Sequence, residues 1–325
     1  MTWPSWTMRF VMSPTKKTAL LRPVVAMAAL AAAAVVLPAC TAGTDTSKER
    51  PDTSEVEQEE HFDISTLEPV SDIQEMVPSN IEESGTLRVT MALDYVPAEF
   101  LLADGTPAGY SVDLASALGR VMGVEVSITD VPFPDLPQEI EAEEDTIGIS
   151  SLTITPERLA KFEMVSYMQV GSVFAVARGN PSGFDPDAPC GATVGVQEQS
   201  YQLARLQRLS NECVGEEKAP LTIEALSPLS DIIPQVMAGK VDAVFADSGA
   251  LTYVAEDSGG KIVLIGDIID PEAQGVAVNK ENEQLTVVVQ AALQYLMDQG
   301  YLERILDAYG MGSLALPQAR ISPDP

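Results

Sequence analysis

The sequence predicts an α/β fold with a largely parallel sheet. Three observations point there. Apolar segments of strand character alternate with segments whose apolar residues recur at helical spacing, from about residue 81 to residue 313. Glycines close the helical segments, as at Gly123 and Gly239. The chain has 325 residues, 46% of them apolar, which suffices for one large or two medium cores.

Residues 1–40 read as a targeting segment. Arg9, Lys16, Lys17 and Arg22 flank or precede an apolar run, residues 24–37, that carries no charge. The run is shorter than the ~20 residues that span a bilayer. It ends in Leu37-Pro38-Ala39-Cys40, which resembles the lipobox of bacterial lipoproteins, with Cys40 as the lipidated residue. An ordinary cleaved signal with an incidental Cys40 is the alternative, and Met8 or Met12 is an alternative start. Residues 41–80 are rich in Thr, Ser, Glu, Asp and Pro. Between Thr41 and Gly85 there are 13 acidic and two basic residues, a composition that predicts an extended, disordered linker. His61 lies in it and reads as a solvated bystander.

The folded module is expected from Ile81. Residues 86–91 alternate as a first strand, and Asp94-Tyr95-Val96-Pro97 follows as a loop. Asp104-Gly105 marks a hairpin. Val112, Leu114, Ala115, Leu118 and Val121 place a helix over residues 110–122, and residues 124–129 form the next strand. A short helix near 135–143 follows the turn at Phe133, then a strand at 146–150. Residues 162–167 lead to an apolar run at 173–177 that reads as a buried strand, and 179–189 is turn-rich. A second alternating series begins there. Its strands are expected at 193–196, 221–225, 241–246 and 261–265, and its helices at 200–210, 231–238 and 247–256. Residues 274–278 are a strand, 284–299 and 301–309 are helices, and the Pro-rich tail, 314–325, is expected to be loose.

The stretch from Ser150 to Arg158 carries the chemistry. It reads as a strand that ends in a polar turn and opens a helix. Thr155 suits the N-cap, Pro156 the first helical position and Glu157 the first turn. Arg158 breaks the local rule, because a cation at the positive end of a helix dipole needs an anion beside it. Backbone N–H groups, the hydroxyls of Ser151 and Thr153, and the guanidinium would together form a carboxylate socket. An Arg158 paired with a surface Glu is the competing reading.

Charge and composition exclude several classes. There are 19 basic and 48 acidic residues, and the part after Cys40 has only 15 of the basic ones and all of the acidic ones. Such a surface does not suit nucleic acid or a peripheral grip on anionic lipid. With one His and three Cys, the folded part can form neither a Ser-His-Asp nor a Cys-His constellation, nor a His-based metal site. No catalytic residue, metal or cofactor is expected.

Seven pieces occur in register over about residues 86–309: TLRV, GYSVDLA, SSLTITPER, ATVGVQEQS, AGKVDAVFAD, QGVAVNKEN and LQYLMDQGYLERILDAYG. On these the chain resembles the extracytoplasmic amino-acid-binding proteins of ABC importers, the solute-binding family 3 group. The resemblance implies a two-lobed periplasmic-binding-protein-like fold of type II, with the ligand in a cleft and two crossover strands between the lobes. One lobe would take residues 81–175 and 270–313, the other 176–269. It implies that Ser151, Thr153 and Arg158 hold the α-carboxylate of a free amino acid, and that Asp247 accepts the α-ammonium. A helix N-cap is the competing role for Asp247. Gln199 and Ser200 would add contacts to the carboxylate, Phe133 would pack on the ligand side chain, and Asp94 would meet a basic side chain. Tyr95 is a further candidate wall. Cys190 and Cys213 would form a disulfide.

Three departures stand out: Ser111 replaces the family's usual Asp, Glu144-Asp145-Thr146 replaces the family's glycine-variable-Asp pair before the central strand, and Gln199 stands where Gly is frequent. The implied partners are a free amino acid, polar or basic, and an ABC permease in the cytoplasmic membrane. The only membrane contact would be the lipid anchor, on the extracytoplasmic face, and the chain would act as a monomer. The alternatives are a dehydratase-like enzyme on the same fold and an amino-acid sensory module.

Overall fold

The computed structural model describes residues 62–321. The targeting segment, Cys40, His61 and most of the acidic linker lie outside the described residues, as do the last four residues of the tail.

The linker expected through residue 80 ends earlier. Asp63 caps a 3-10 turn, Ile64–Thr66, and two short helices follow, α1 (Ser71–Gln74) and α2 (Ser79–Ser84). Leu67, Ile73, Val77 and Ile81 are buried in the main core. These apolar residues recur every four to six positions among acidic ones, a sparse stripe that overall charge conceals. Phe62 anchors the segment further: its ring stacks on Tyr301 at 5.2 Å, with the Arg304 guanidinium 4.5 Å above it.

The first lobe opens with β1 (Thr86–Met91) and a small antiparallel sheet of β2 (Asp94–Tyr95), β3 (Glu99–Leu101) and β4 (Pro107–Ala108). Then come α3 (Tyr110–Met122), β5 (Glu125–Asp130), α4 (Leu136–Ala142), β6 (Thr146–Gly148) and α5 (Pro156–Leu159). Strand β7 (Phe162–Ala177) leads out of it. The second lobe holds β8 (Thr193–Gln197), α6 (Tyr201–Gly215), β9 (Thr222–Leu226), α7 (Ile233–Met237), β10 (Ala243–Asp247) and α8 (Ser248–Asp257). Strand β11 (Ile262–Asn279) returns, followed by α9 (Glu283–Asp298) and α10 (Tyr301–Asp307).

The large sheet has the order β5-β1-β6-β11-β7-β10-β8-β9. Strands β5-β1-β6 and β10-β8-β9 are parallel within each group, whereas β7 and β11 run antiparallel down the middle. The two long strands are therefore what joins the lobes. Residues 261–265 and 274–278, read from sequence as separate strands, are two ends of β11. Between them Asp270 adopts a positive φ of 47° and Pro271 cannot donate to a ladder, so the segment looks like a break. The register shifts between Ile265 and Gly275 absorb those residues without ending the strand.

The main hydrophobic cluster fills the first lobe and continues under α7 and α8, and a second one, in which the Phe174 ring contacts both Phe184 and Phe245, lies in the second lobe. The Cys190–Cys213 disulfide is present and ties the start of β8 to α6. Closing a loop of this size stabilises a fold by about 3 kcal/mol. The tail is not loose up to Ile321. Leu316 N donates to Tyr167 O at 3.0 Å, Ser166 N to Arg320 O at 3.0 Å, and Ala319 is buried. A Pro-rich extended segment makes no internal hydrogen bonds, so its free backbone groups can pair with β7.

Candidate functional site

Past β6 the chain turns sharply at Ser151, which has a φ of 50°. Thr155 caps α5, its hydroxyl accepting from Arg158 N at 3.2 Å, and Pro156 takes the first helical position. Helix α5 is a single turn, so the dipole invoked to explain Arg158 is small. The placement of Arg158 comes instead from its own contacts. Its Nη1 donates to Thr153 O at 2.7 Å, and the guanidinium lies 5.7 Å from the centre of the Phe133 ring. Burial pulls its pKa down to about 10, while Asp247 and Glu157 favour the charged form, so it remains a cation at neutral pH.

Arg158 opens onto a cleft of about 1120 Å³ that both lobes line. Phe133 and Arg158 stand on one side, and Gln199, Ser200, Tyr201 and Arg208 on the other. Gln199 adopts a φ of 55°, in the left-handed region that favours glycine. The Ser200 hydroxyl is already engaged: it accepts from Leu203 N at 3.1 Å as the cap of α6 and donates to Gln197 O at 2.7 Å. Phe133 is buried against Leu136, Ile140 and Leu152, so it serves the core and the cleft wall together.

Ser151, Thr153, Asp94 and Asp247 do not line that cleft. They belong to a buried polar cluster. Asp247 ends β10 at the N-cap position of α8, yet its side chain makes no capping bond. It turns instead to three donors: Gln202 Nε2 at 2.7 Å, Tyr95 OH at 3.1 Å and Gln274 Nε2 at 3.2 Å. The Tyr95 bond joins the two lobes. Burial raises the Asp247 pKa to about 6, against the pull of these hydrogen bonds and of Arg158. The Ser151 hydroxyl shares a 3.1 Å hydrogen bond with Tyr110 OH.

The residue that sequence reasoning missed is Glu99, which is 1% exposed. Its Oε1 accepts from Ser150 Oγ at 3.1 Å, whereas Oε2 has no hydrogen-bond partner. Burial pushes its pKa up to about 8. Asp94 is also raised, by burial first and then by Asp130 and Asp231. Ser111 Oγ, Tyr167 OH, Gln274 Oε1 and Asp94 Oδ1 are likewise buried without partners. Buried polar atoms left unpaired in one region call for a polar occupant. The signal available for Glu99 was faint: it stands opposite Tyr95 in a strand too short for a clear alternation.

A two-lobed α/β molecule with two connecting strands, an open cleft and an unsatisfied polar cluster is a solute-binding protein in architecture. The chain belongs to the bacterial extracellular solute-binding proteins, family 3, whose model matches residues 87–312. It is 31% identical to the arginine-binding protein ArgT of Corynebacterium glutamicum over 259 residues, which covers 79% of this chain and 85% of that one. It is 26% identical to the arginine-binding extracellular protein ArtP of Bacillus subtilis, over 69% of this chain and 86% of that one. Among solved structures, the holo form of ArgBP from T. maritima is similar with a TM-score of 0.58 and 26% identity, over 68% of this chain and 94% of that one. Among the described residues, no helix is long and apolar enough to cross a membrane.

Proposed function

We propose that this protein captures a free basic amino acid, arginine foremost, and hands it to an ABC permease. The observation that carries the reading is the set of three buried or partly buried ionisable groups where the lobes meet. One cation, Arg158, and two acids, Asp247 and Glu99, match the three charges of a basic amino acid in sign and number. Arg158 takes the α-carboxylate, with Ser151 and Thr153 beside it, once the guanidinium leaves Thr153 O. Asp247 takes the α-ammonium in place of one of its present donors. Glu99 and Asp94 receive the side-chain cation, and Phe133 and Tyr95 pack on the aliphatic stem. The arginine-binding names of the relatives support the same choice of ligand. Gln199 and Ser200 shape the cleft mouth.

Calorimetric titration with L-arginine, L-lysine and L-glutamate tests this. Basic amino acids are expected to bind and glutamate is not. A charge-assisted hydrogen-bond pair lost on Arg158→Ala corresponds to about 3 kcal/mol, or roughly a hundredfold in affinity. Unchanged affinity in that variant would sink the clamp. A buried acid with a raised pKa, as burial raises that of Glu99, is also what a dehydratase on this fold would need. Recovery of the ligand unchanged after long incubation separates the two readings. Anchoring through acylated Cys40 on the extracytoplasmic face belongs to the same proposal, and mass spectrometry of the mature N-terminus tests it.

A further inference from the structure

Three carboxyl groups sit in or beside the buried cluster, those of Asp247, Glu99 and the less buried Asp94, and their surroundings differ. Asp247 receives three side-chain hydrogen bonds and is favoured as an anion by the charge of Arg158. Glu99 accepts from Ser150 Oγ at 3.1 Å, with the Ser111 hydroxyl nearby, and its second oxygen has no partner in hydrogen-bond geometry. The ionisable groups that face Glu99 are Asp94 and Tyr95 from β2, Tyr110 from α3, Tyr167 from β7 and Asp247 from β10. All of these are acids or phenols. Ser111 stands beside Glu99 as well, with its hydroxyl buried and unpartnered. Neighbouring buried carboxyls cannot all ionise without a compensating cation, so the proton settles where burial is deepest and donors are few. That place is Glu99.

We infer that this protein exchanges a proton for its ligand: Glu99 is a neutral acid in the empty site and releases its proton to solvent as the ligand's side-chain cation arrives. The balance is simple. The carboxylic acid and the incoming cation give a carboxylate–cation pair and one free proton, with no other bond made or broken. The inference rests on the proposed capture of a basic amino acid and adds a pH dependence to it. Burial holding Glu99 near pKa 8 and Asp247 near 6 is consistent with this order of titration. Around pH 7 Asp247 is already mostly ionised, so the exchanged proton comes from Glu99. With these two values, affinity for arginine rises about tenfold from pH 6.5 to 7.5.

Titration calorimetry of the full chain with L-arginine at pH 7.0, in phosphate and in Tris, reads the exchange directly, because the observed heat shifts with the buffer's ionisation enthalpy. The expected result is release of close to one proton per arginine. L-citrulline, which replaces the guanidinium by a neutral urea, is expected to release almost none from the same protein. Glu99→Gln is expected to abolish the release and flatten the pH dependence. Arginine binding with no proton release overturns the inference, as does equal release with citrulline or from Glu99→Gln. Should Glu99→Gln not fold, the arginine–citrulline comparison on the parent chain decides alone. If no basic amino acid binds, the capture reading itself fails, and that result is distinct from binding without proton release.

Discussion

At pH 7 the Glu99 carboxyl is mostly protonated, because burial raises its pKa from the usual range near 4.5 to about 8. An acid whose pKa is higher in the folded state than in the unfolded one stabilises the fold below its unfolded pKa. That contribution fades as pH rises through the folded pKa. Asp247, raised to about 6, loses its share between roughly pH 4 and 6, which leaves the window from 6 to 8 to Glu99. Melting of the ligand-free protein is therefore expected to move to lower temperature between pH 6 and 8, and Glu99→Gln is expected to flatten that part of the curve. A parent melting point that rises across this window would contradict the assignment. At this scale the sequence was uneven. Arg158 stood out because it sits badly at a helix start, and Asp247 because it ends a strand. Glu99, Gln202 and Gln274 carry no such mark. They acquire their place through pairings across 27 to 51 residues, which local patterning cannot encode.

Most elements followed from periodicity. Helix α3, the strands of the second lobe and helix α9 lie within a few residues of where apolar spacing put them. The failures share a cause: the ordered residues 62–80, the docked tail and the unbroken β11 all depend on a distant partner that overrides a locally irregular sequence. Gly109, the first residue of the GYSVDLA piece, shows the opposite case, where an element demands one residue type. Its φ is 117°, and a Cβ there would stand 2.2 Å from Ala98 O and 2.8 Å from Pro97 O, both backbone atoms. Neither atom can move without shifting β3, and with it Glu99. Gly109→Ala is expected to lower unfolding free energy by about 3 kcal/mol in chemical denaturation and to weaken ligand binding as well. A variant of full stability and affinity would show that this approach is not required.

The whole molecule is strongly acidic, with 48 acidic and 19 basic residues. Its summed field draws cations toward the cleft and is screened by salt. Stopped-flow association of L-arginine is expected to slow as ionic strength rises from 0.01 to 0.15 M (about a fourfold change in Debye length), while a neutral amino acid is unaffected. Equal salt response for both would remove long-range steering from the mechanism. The lobe arrangement was legible only through the seven motif pieces, because composition gives a core size but not the path of the chain between lobes. Motion between the lobes would act on the Tyr95–Asp247 bond, which crosses from one lobe to the other. Central to all of this is that the site takes a free basic amino acid. The most direct measurement is a thermal-shift screen of the purified protein against the proteinogenic amino acids. A ligand that binds only the folded state at a hundredfold over its dissociation constant adds about 2.7 kcal/mol of stability. A rise in melting temperature with arginine and lysine, and none with glutamate or aspartate, is the result expected from one cation and two acids in the site. A rise with acidic amino acids alone, or with none of the set, would contradict it.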